Sequence, residues 1–427
     1  MSKHAAESKD EAPAAKRPCL SAEGDMPILA QALHAWGLIS DPSEMDASLI
    51  SSDRKHATLW PGGRSVSIDE LTEVHRTIYC SVAEATCVLG VSTKEVQAVA
   101  KKPEGLQMLS QGCSYFYGCS VMCEDVPSAA GELKDAERPR LLLLQGMGKA
   151  YVIGNYPGAC FTLAYYIQKF CRLQLLVGTH ALVAVDKAIW THANEQSYLP
   201  DFEPGVEWPA VKGGVQRSFV VRPLEEPTGC DSEERKLRVA MANCHREICK
   251  KGFGELIWNH CSALLGEAML VTPGDCLWDD IAPADFLLNS RNVTANVLHS
   301  AIYAATSAKA VIHTHAPGIE AVSCIKGGLI APRGSQLAGR VAYHPWQGFS
   351  DDDSECKVIG EALRKIPDCA ALICENHGAF TWGNSLDEAL ERHIALEEAC
   401  WEQLRKAEGT HYSSWVSSGH NYRHMGA

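Results

Sequence analysis

The chain has 427 residues, a length that favours two or three domains over one. Its content of 46% hydrophobic and 21% charged residues is ordinary for a soluble globular protein, and its net charge of −13 argues against nucleic-acid binding. No stretch reaches the roughly 18 to 20 apolar residues of a membrane-spanning helix, so we expect no transmembrane segment.

The first 25 residues are polar and lack the apolar segment of an export signal. We predict that residues 1–25 form a disordered tail. Because no export signal is visible, we expect the 18 cysteines, many of which lie in apolar stretches, to be reduced and buried rather than disulfide-bonded. These features favour a cytoplasmic protein.

From residue 26 onwards the pattern is that of a folded protein. Pro27–Ile39 predicts a short helix, Trp60–Gly63 predicts a turn, and the spacing of apolar residues over Leu71–Val88 predicts another helix. A buried strand is predicted at Leu141–Leu144, followed by a helix at Pro157–Leu175.

Residues 183–232 are rich in Pro, Glu and Gly, which is typical of an extended connector. Trp190, Trp208 and Phe219 within it indicate that parts of the connector pack on a domain. We therefore interpret this region as a linker between two folded parts.

The order of motifs in the first part of the chain returns in the second. The matched pairs are His75–Tyr79 with His299–Tyr303, Leu142–Gly148 with Leu372–Gly378, and Asn155–Cys171 with Asn384–Cys400. A shared order over about 150 residues predicts a tandem duplication. The predicted division is a tail at 1–25, a first domain at 26–182, a linker at 183–232, a second domain at 233–412 and a tail at 413–427.

The second part carries a His-x-His motif at the end of an apolar stretch. Ala308–Ile312 predicts a buried strand that leads into His313 and His315, which are two residues apart and so lie on one face. A second apolar stretch, Ala370–Cys374, is followed by His377. Three neutral imidazoles with an open position are the ligand set of a catalytic zinc site. The alternative for the His-x-His pair is a solvated or hydrogen-bonded pair of histidines.

The first part differs where this chemistry would be. Leu89–Ser92 stands opposite the His-x-His motif, and Met147 stands opposite His377. None of these side chains replaces an imidazole on a borderline cation. We expect the first domain to be metal-free and structural.

Taken in order, the motifs of the second part resemble the class II aldolase/adducin domain. The resemblance covers about residues 233–404, and it extends more weakly over 26–175. The stretches that carry it are Gly254–Ser262, Val271–Gly274, His299–Tyr303, His313–His315, Ala342–His344 and Asn376–Gly378. It implies an α/β/α fold with a central, mainly antiparallel sheet, present here as two tandem copies. It also implies a homo-oligomer with active sites near subunit contacts.

The resemblance further implies a zinc-dependent reaction. In catalytic members of the family the matching histidines bind zinc, which here implies His313, His315 and His377 as metal ligands. The ion acts as a Lewis acid on a chelated substrate and stabilises an enediolate. The residues implied in binding substrate or its phosphate are Asn259, Ser262, Thr272 and Gly274. The implied activity is lyase or epimerase chemistry on a small hydroxy-carbonyl compound, phosphorylated or not.

Two departures from the family pattern keep a second function open. The Glu or Asp that serves as acid and base in such enzymes falls here on Thr294 or Ala295, neither of which transfers a proton at neutral pH. Asn292–Val293 replaces a serine pair, and the residues around His299 are closer to the adducin branch, which has lost catalysis. The alternative is therefore a non-catalytic, adducin-like scaffold that binds the actin cytoskeleton. For His299 itself we predict a packed, hydrogen-bonded side chain.

Overall fold

The computed structural model describes residues 22–196, 230–254, 256, 259–272, 281–288, 293–331, 335, 337–345, 353–366 and 368–408. The fold is mixed α/β, with two seven-stranded and mainly antiparallel sheets, which confirms the predicted fold class. We refer to residues 22–196 as the first half and to the described residues from 230 onwards as the second half.

The first half contains one of the two sheets. Its strands are β1 (Asp46–Ile50), β2 (His56–Trp60), β3 (Arg64–Ser67), β4 (Cys87–Val91), β5 (Ser120–Cys123), β6 (Leu141–Leu144) and β7 (Lys149–Gly154). Its helices are α1 (Ala22–Ala35), α2 (Glu73–Ser81), α3 (Lys94–Ala100), α4 (Val126–Asp135), α5 (Pro157–Val177) and α6 (Lys187–Gln196).

The second half contains the other sheet. Its strands are β8 (His260–Leu265), β9 (Ala268–Val271), β10 (Leu287–Leu288), β11 (Ala310–Thr314), β12 (Val341–His344), β13 (Ala371–Cys374) and β14 (Gly378–Gly383). Its helices are α7 (Ser232–Lys250), α8 (Val293–Ala305), α9 (Pro317–Ser323), α10 (Asp353–Arg364) and α11 (Leu386–Glu408).

The two sheets have the same topology. The strand order is β3-β2-β1-β4-β7-β6-β5 in the first and β10-β9-β8-β11-β14-β13-β12 in the second, which is the same order counted from each half's first strand. In both sheets the parallel pair is formed by the fifth and sixth strands, β5 with β6 and β12 with β13. The order of sequence motifs and the strand order therefore agree.

The central strands β4 and β11 are buried along their whole length because helices cover both faces of each sheet. In β4, Leu89 faces the core that contains α5, while its neighbour Val88 faces the core that contains α2 and α4. Ile312 and Val311 of β11 divide in the same way between two cores. This burial explains why the uninterrupted apolar stretches could be read as strands.

One apolar core is common to both halves. It contains Phe161 and Phe170 of α5 together with Ile319 of α9 and Leu396 of α11. Beyond α5 the chain continues along the second half, where the amide of Val183 donates to the carbonyl of Cys324 at 2.9 Å. The two halves are therefore joined by packing as well as by the covalent chain.

Three element boundaries differ from those predicted. Helix α1 begins at Ala22, inside the predicted tail, and α2 ends at Ser81 because Cys87–Val91 pairs with β1 and β7 as a strand. The predicted linker contains α6, on which Trp190 is buried and stacks on Tyr117. Apolar spacing alone did not reveal where the helix gave way to the strand.

Three of the residues named in the sequence predictions lie outside the described residues: Trp208, Phe219 and Gly274.

No helix in the described ranges is both long and apolar enough to cross a membrane.

Candidate metal centre

His313 lies on the central strand of the second sheet. Strand β11 pairs with β14 on one side and β8 on the other, so its backbone is held from both sides. The His313 ring stacks on Phe380, its partner on β14, with ring centroids 4.2 Å apart. His315 follows just beyond the strand end, where α9 begins at Pro317.

His377 reaches the same place from the hairpin between β13 and β14. Cys374 and Gly378 pair across this hairpin, and Asn376 within it has a φ of 56°, the left-handed conformation that Asn tolerates. A Cβ on Gly378 would lie 2.5 Å from the carbonyl oxygen of Thr314 and 2.8 Å from Cδ2 of His315. Only glycine at this position lets the hairpin come so close to β11.

The three histidines form a compact buried cluster. One ligand atom from each of His313, His315 and His377 lies within 4.8 Å of the others, and all three residues are buried. The Nε2 atoms of His313 and His315 are 3.0 Å apart. Among the described residues, these three histidines are the group of His, Cys, Asp or Glu side chains that lie close enough together to share one metal ion.

The protonation of His313 and His377 suits a metal ion. Nδ1 of His313 lies 3.1 Å from the carbonyl oxygen of Ala379, where an N–H would donate and leave the Nε2 lone pair towards the other rings. Burial holds the pKa of His313 and of His377 well below the ordinary value for histidine, and neighbouring imidazoles add to the effect. Neutral imidazoles are the form that binds a metal, so the donor set fits zinc.

Polar contacts from the same half support the backbone of the cluster. The side-chain oxygen of Asn259 accepts from the amide of His315 at 3.2 Å, and the hydroxyl of Ser323 accepts from the amide of His377 at 3.2 Å. Glu397 of α11 accepts from the amides of Gly318 and Ile319 at the start of α9. These contacts hold the backbone at His315, at the start of the helix that follows it, and at His377.

The predicted substrate residues are placed in different surroundings. Asn259 contacts the cluster through His315, as described above. Ser262 is fully buried, and its hydroxyl hydrogen-bonds Nδ1 of His299 at 2.5 Å and the hydroxyl of Tyr303 at 2.7 Å. Thr272 is also buried, and its hydroxyl contacts Nε2 of His245 at 2.9 Å. The roles of Ser262 and Thr272 towards a substrate stay predictions.

The predicted position of the acid and base lies at the start of α8. Thr294 and Ala295 belong to its first turn, but their side chains are not among those that the structure describes. His299, on the same helix, is buried and bonded to Ser262, which agrees with the predicted packed histidine.

Sequence reasoning missed a fourth histidine beside the cluster. His260 of β8 is the direct partner of His313 across the sheet, and the two rings are 4.5 Å apart. Nδ1 of His260 lies 2.8 Å from Nε2 of His299, so the rings form a buried row behind the cluster. His260 stood within the stretch Gly254–Ser262, but the pairing of β8 with β11 was needed to place it.

In the first half an ion pair lies where the second half has histidines. Sheet register places Gly90 and Asp46 of the first half where the second has His313 and His260. The ammonium of Lys149 lies 2.5 Å from Oδ2 of Asp46, and a Cβ on Gly90 would be 2.6 Å from that oxygen. The space of an imidazole is therefore filled by a salt bridge.

A narrow cleft opens beside His315 between the two halves. Its cavity volume is about 20 Å³. It is lined on one side by α5 of the first half, including Lys169 and Arg172, and on the other by His315, Pro317 and Glu320. Both halves therefore border the cluster.

Comparison with known proteins gives the following similarities. A sequence model described as the class II aldolase and adducin N-terminal domain matches residues 239–404. Alpha-adducin of Rattus norvegicus is 33% identical over 211 residues, which are 44% of this chain and 28% of that protein. The chain thus spans under a third of the length of that relative.

Solved structures of aldolases are also similar to the chain. The crystal structure of an aldolase II superfamily protein from Pseudomonas syringae is 28% identical, with a TM-score of 0.37, over 46% of this chain and 98% of that one. The L-fuculose 1-phosphate aldolase from Glaciozyma antarctica is 23% identical, with a TM-score of 0.36, over 47% of this chain and 89% of that one.

Proposed function

Residues 239–404 belong to the class II aldolase/adducin domain family, and on this premise we propose that His313, His315 and His377 bind a divalent metal ion, zinc. The observation that supports this most is that three buried imidazoles meet with their ligand atoms within 4.8 Å. Three His ligands with an open fourth position are typical of catalytic zinc.

The substrate we propose is a small hydroxy-carbonyl compound, phosphorylated or not, in a lyase or epimerase reaction. When bound, zinc supplies Lewis-acid polarisation of a carbonyl. The chain's own part is to hold the ligands: Ala379 orients the His313 ring, and Asn259 binds the amide of His315. Asn259, Ser262, Thr272 and Gly274 are the residues that we propose to bind the substrate or its phosphate.

The proton-transfer group is the part that departs from the enzymes of the family. Neither Thr294 nor Ala295 moves a proton at neutral pH. Glu320 is the carboxylate that lines the cleft beside His315, but it is already paired with Lys169 at 3.0 Å. We therefore expect turnover to be slow compared with enzymes that retain the family carboxylate.

Metal content of the purified protein tests the metal site. We expect about one zinc ion per chain in the wild type and a loss of most of it in His315→Ala, because two imidazoles hold zinc far less tightly than three. His56→Ala, at an exposed histidine of β2, is the matched control and should keep the metal. Equal zinc content in wild type and His315→Ala would contradict the proposed ligand set.

Activity is tested separately, with zinc-loaded protein. A panel of sugar phosphates and hydroxy acids is incubated with wild type and His315→Ala, and cleavage or epimerisation is followed. Turnover by the wild type that disappears in the variant supports an enzyme. No turnover on the whole panel with stoichiometric zinc argues against one.

A second function, a non-catalytic adducin-like scaffold, is supported by a different observation. The chain is 33% identical to an alpha-adducin over 211 residues, and the family's acid and base position falls on Thr294 or Ala295. Co-sedimentation with actin filaments is the test, and absence of pelleting at micromolar protein would remove the cytoskeletal version. For both functions we propose a cytoplasmic homo-oligomer, whose subunit number light scattering would measure.

A further inference from the structure

The first half touches the hairpin that carries His377. The amide of Gln111 donates to the carbonyl of Asn376 at 2.8 Å, and the side-chain amide of Asn376 donates to the carbonyl of Leu109 at 2.8 Å. Leu109, Gln111 and Asn376 are all buried. These two bonds form a closed bridge between segment 109–111 of the first half and the residue next to His377.

Asn376 is also held from its own half. Its amide donates to the carbonyl of Ser323 at 3.0 Å, and the hydroxyl of Ser323 accepts from the next amide, that of His377, at 3.2 Å. Its left-handed backbone, with a φ of 56°, costs free energy for a residue with a side chain, so contacts must hold it in place. The contacts with segment 109–111 supply part of that restraint.

The first half makes a second contact, on the helix that follows His315. Glu320 of α9 is 2% exposed. One of its oxygens lies 3.0 Å from Nζ of Lys169, and the other accepts from the hydroxyl of Ser110 at 2.5 Å. Both partners come from the first half, and the thiol of Cys324 at the end of α9 donates to the carbonyl of Leu109 at 3.1 Å.

We propose that the first half is a positioning element of the metal centre. Through Asn376 it holds the hairpin that carries His377, and through Glu320 it holds the helix that follows His315. This inference rests on the proposed function, in which the three histidines bind the ion. Residues that orient metal ligands typically change metal affinity by about 10- to 100-fold when they are replaced. Segment 109–111 of the first half would then set the metal affinity of the second half.

The main test is Asn376→Gly in the full-length protein. Glycine keeps the left-handed backbone without strain and removes the side-chain bond to Leu109. We expect zinc affinity, measured by competition with a chromogenic chelator, to fall by about 10- to 100-fold. With cobalt in place of zinc, the visible absorption should change, because the angles between the imidazoles around the ion change.

The chain offers a matched control. Gln145 lies in the corresponding hairpin of the first half, between β6 and β7, and its side-chain amide donates to the carbonyl of Lys102 at 3.0 Å. Gln145→Ala removes the same kind of bond at a distance from the histidines. Its zinc affinity and cobalt spectrum should match those of the wild type.

Ser110→Ala provides a second variant, because it removes only a hydroxyl from the contact with Glu320. We expect it to weaken zinc binding in the same direction, with circular dichroism of the metal-free protein unchanged. If Asn376→Gly fails to fold, Ser110→Ala decides. If the wild type binds no zinc, the proposed function is wrong. If the wild type binds zinc and both variants fold and bind zinc with an affinity within twofold of the wild type, only the positioning role is wrong.

Discussion

At the scale of single residues, the candidate metal centre depends on the lack of a side chain at Gly378 as much as on the three imidazoles. Gly378 has no side chain where a Cβ would lie 2.5 Å from the carbonyl of Thr314 and 3.3 Å from Cε1 of His313. Real Cβ atoms do not approach a backbone oxygen so closely, so any larger residue must push the hairpin away from β11. The glycine therefore sets the distance between His377 and the other two histidines.

Gly378→Ala should consequently lower both stability and metal content. Overpacking of this kind costs about 1–3 kcal/mol of the free energy of unfolding, and the displaced hairpin carries His377 away from the other two histidines. Urea denaturation and metal analysis measure the two effects. Gly131→Ala, on the exposed side of α4 with no atom within 4 Å of the new Cβ, is the control and should be neutral or stabilising. Full zinc content in Gly378→Ala would contradict this explanation.

At the scale of elements, the two halves share a hydrogen-bonded cluster between a strand and a helix. Ser48 of β1 contacts Nδ1 of His75 at 2.6 Å and the hydroxyl of Tyr79 at 3.0 Å. Ser262 of β8 makes the same contacts with His299 and Tyr303 at 2.5 and 2.7 Å. The cluster anchors a helix to its sheet in both halves. The motif shared by His75–Tyr79 and His299–Tyr303 therefore has a structural reason that does not depend on a metal.

Ser48→Ala and Ser262→Ala should then have equal effects. Each leaves a buried imidazole nitrogen and a tyrosine hydroxyl with fewer hydrogen-bond partners, at a cost of about 1–3 kcal/mol. Chemical denaturation gives the loss for each variant. If Ser262→Ala instead keeps full stability and weakens binding of a phosphorylated ligand, Ser262 has the substrate role that its sequence motif implies.

At the scale of the whole molecule, we propose that residues 26–182 and 233–412 are two copies of one domain joined by the linker at 183–232, with tails at 1–25 and 413–427. The identical strand order and the shared Ser–His–Tyr cluster support this division. The two halves differ at the position of the candidate metal centre. An Asp46–Lys149 ion pair stands in the first where imidazoles stand in the second.

A fragment of residues 230–427 tests how far the second copy depends on the first. It keeps Asp231, whose side chain caps α7 by accepting from the amides of Glu233 and Glu234. Without α5, apolar residues of α9 and α11 in the common core become exposed to water. We expect an aggregated or self-associating fragment with weakened zinc binding, observed by gel filtration and metal analysis. A soluble fragment with unchanged subunit number and metal content would show that the first copy is dispensable.

The sequence by itself determined the strand at Leu141–Leu144, a strand predicted at Ala370–Cys374 that begins at Ala371 in the structure, and the three histidines as a set, because burial on both faces leaves a continuous apolar stretch that can be read locally. The mixed α/β class was implied by the resemblance of its motifs to a known family, and the two sheets confirm it. Only the tertiary structure decided that His260 stacks on His313, that Asp46 and Lys149 fill the matching space in the first half, and that Leu109 holds Asn376. These contacts join residues far apart in the chain. They follow from strand register and from the packing of one half on the other, which no local pattern of residues specifies.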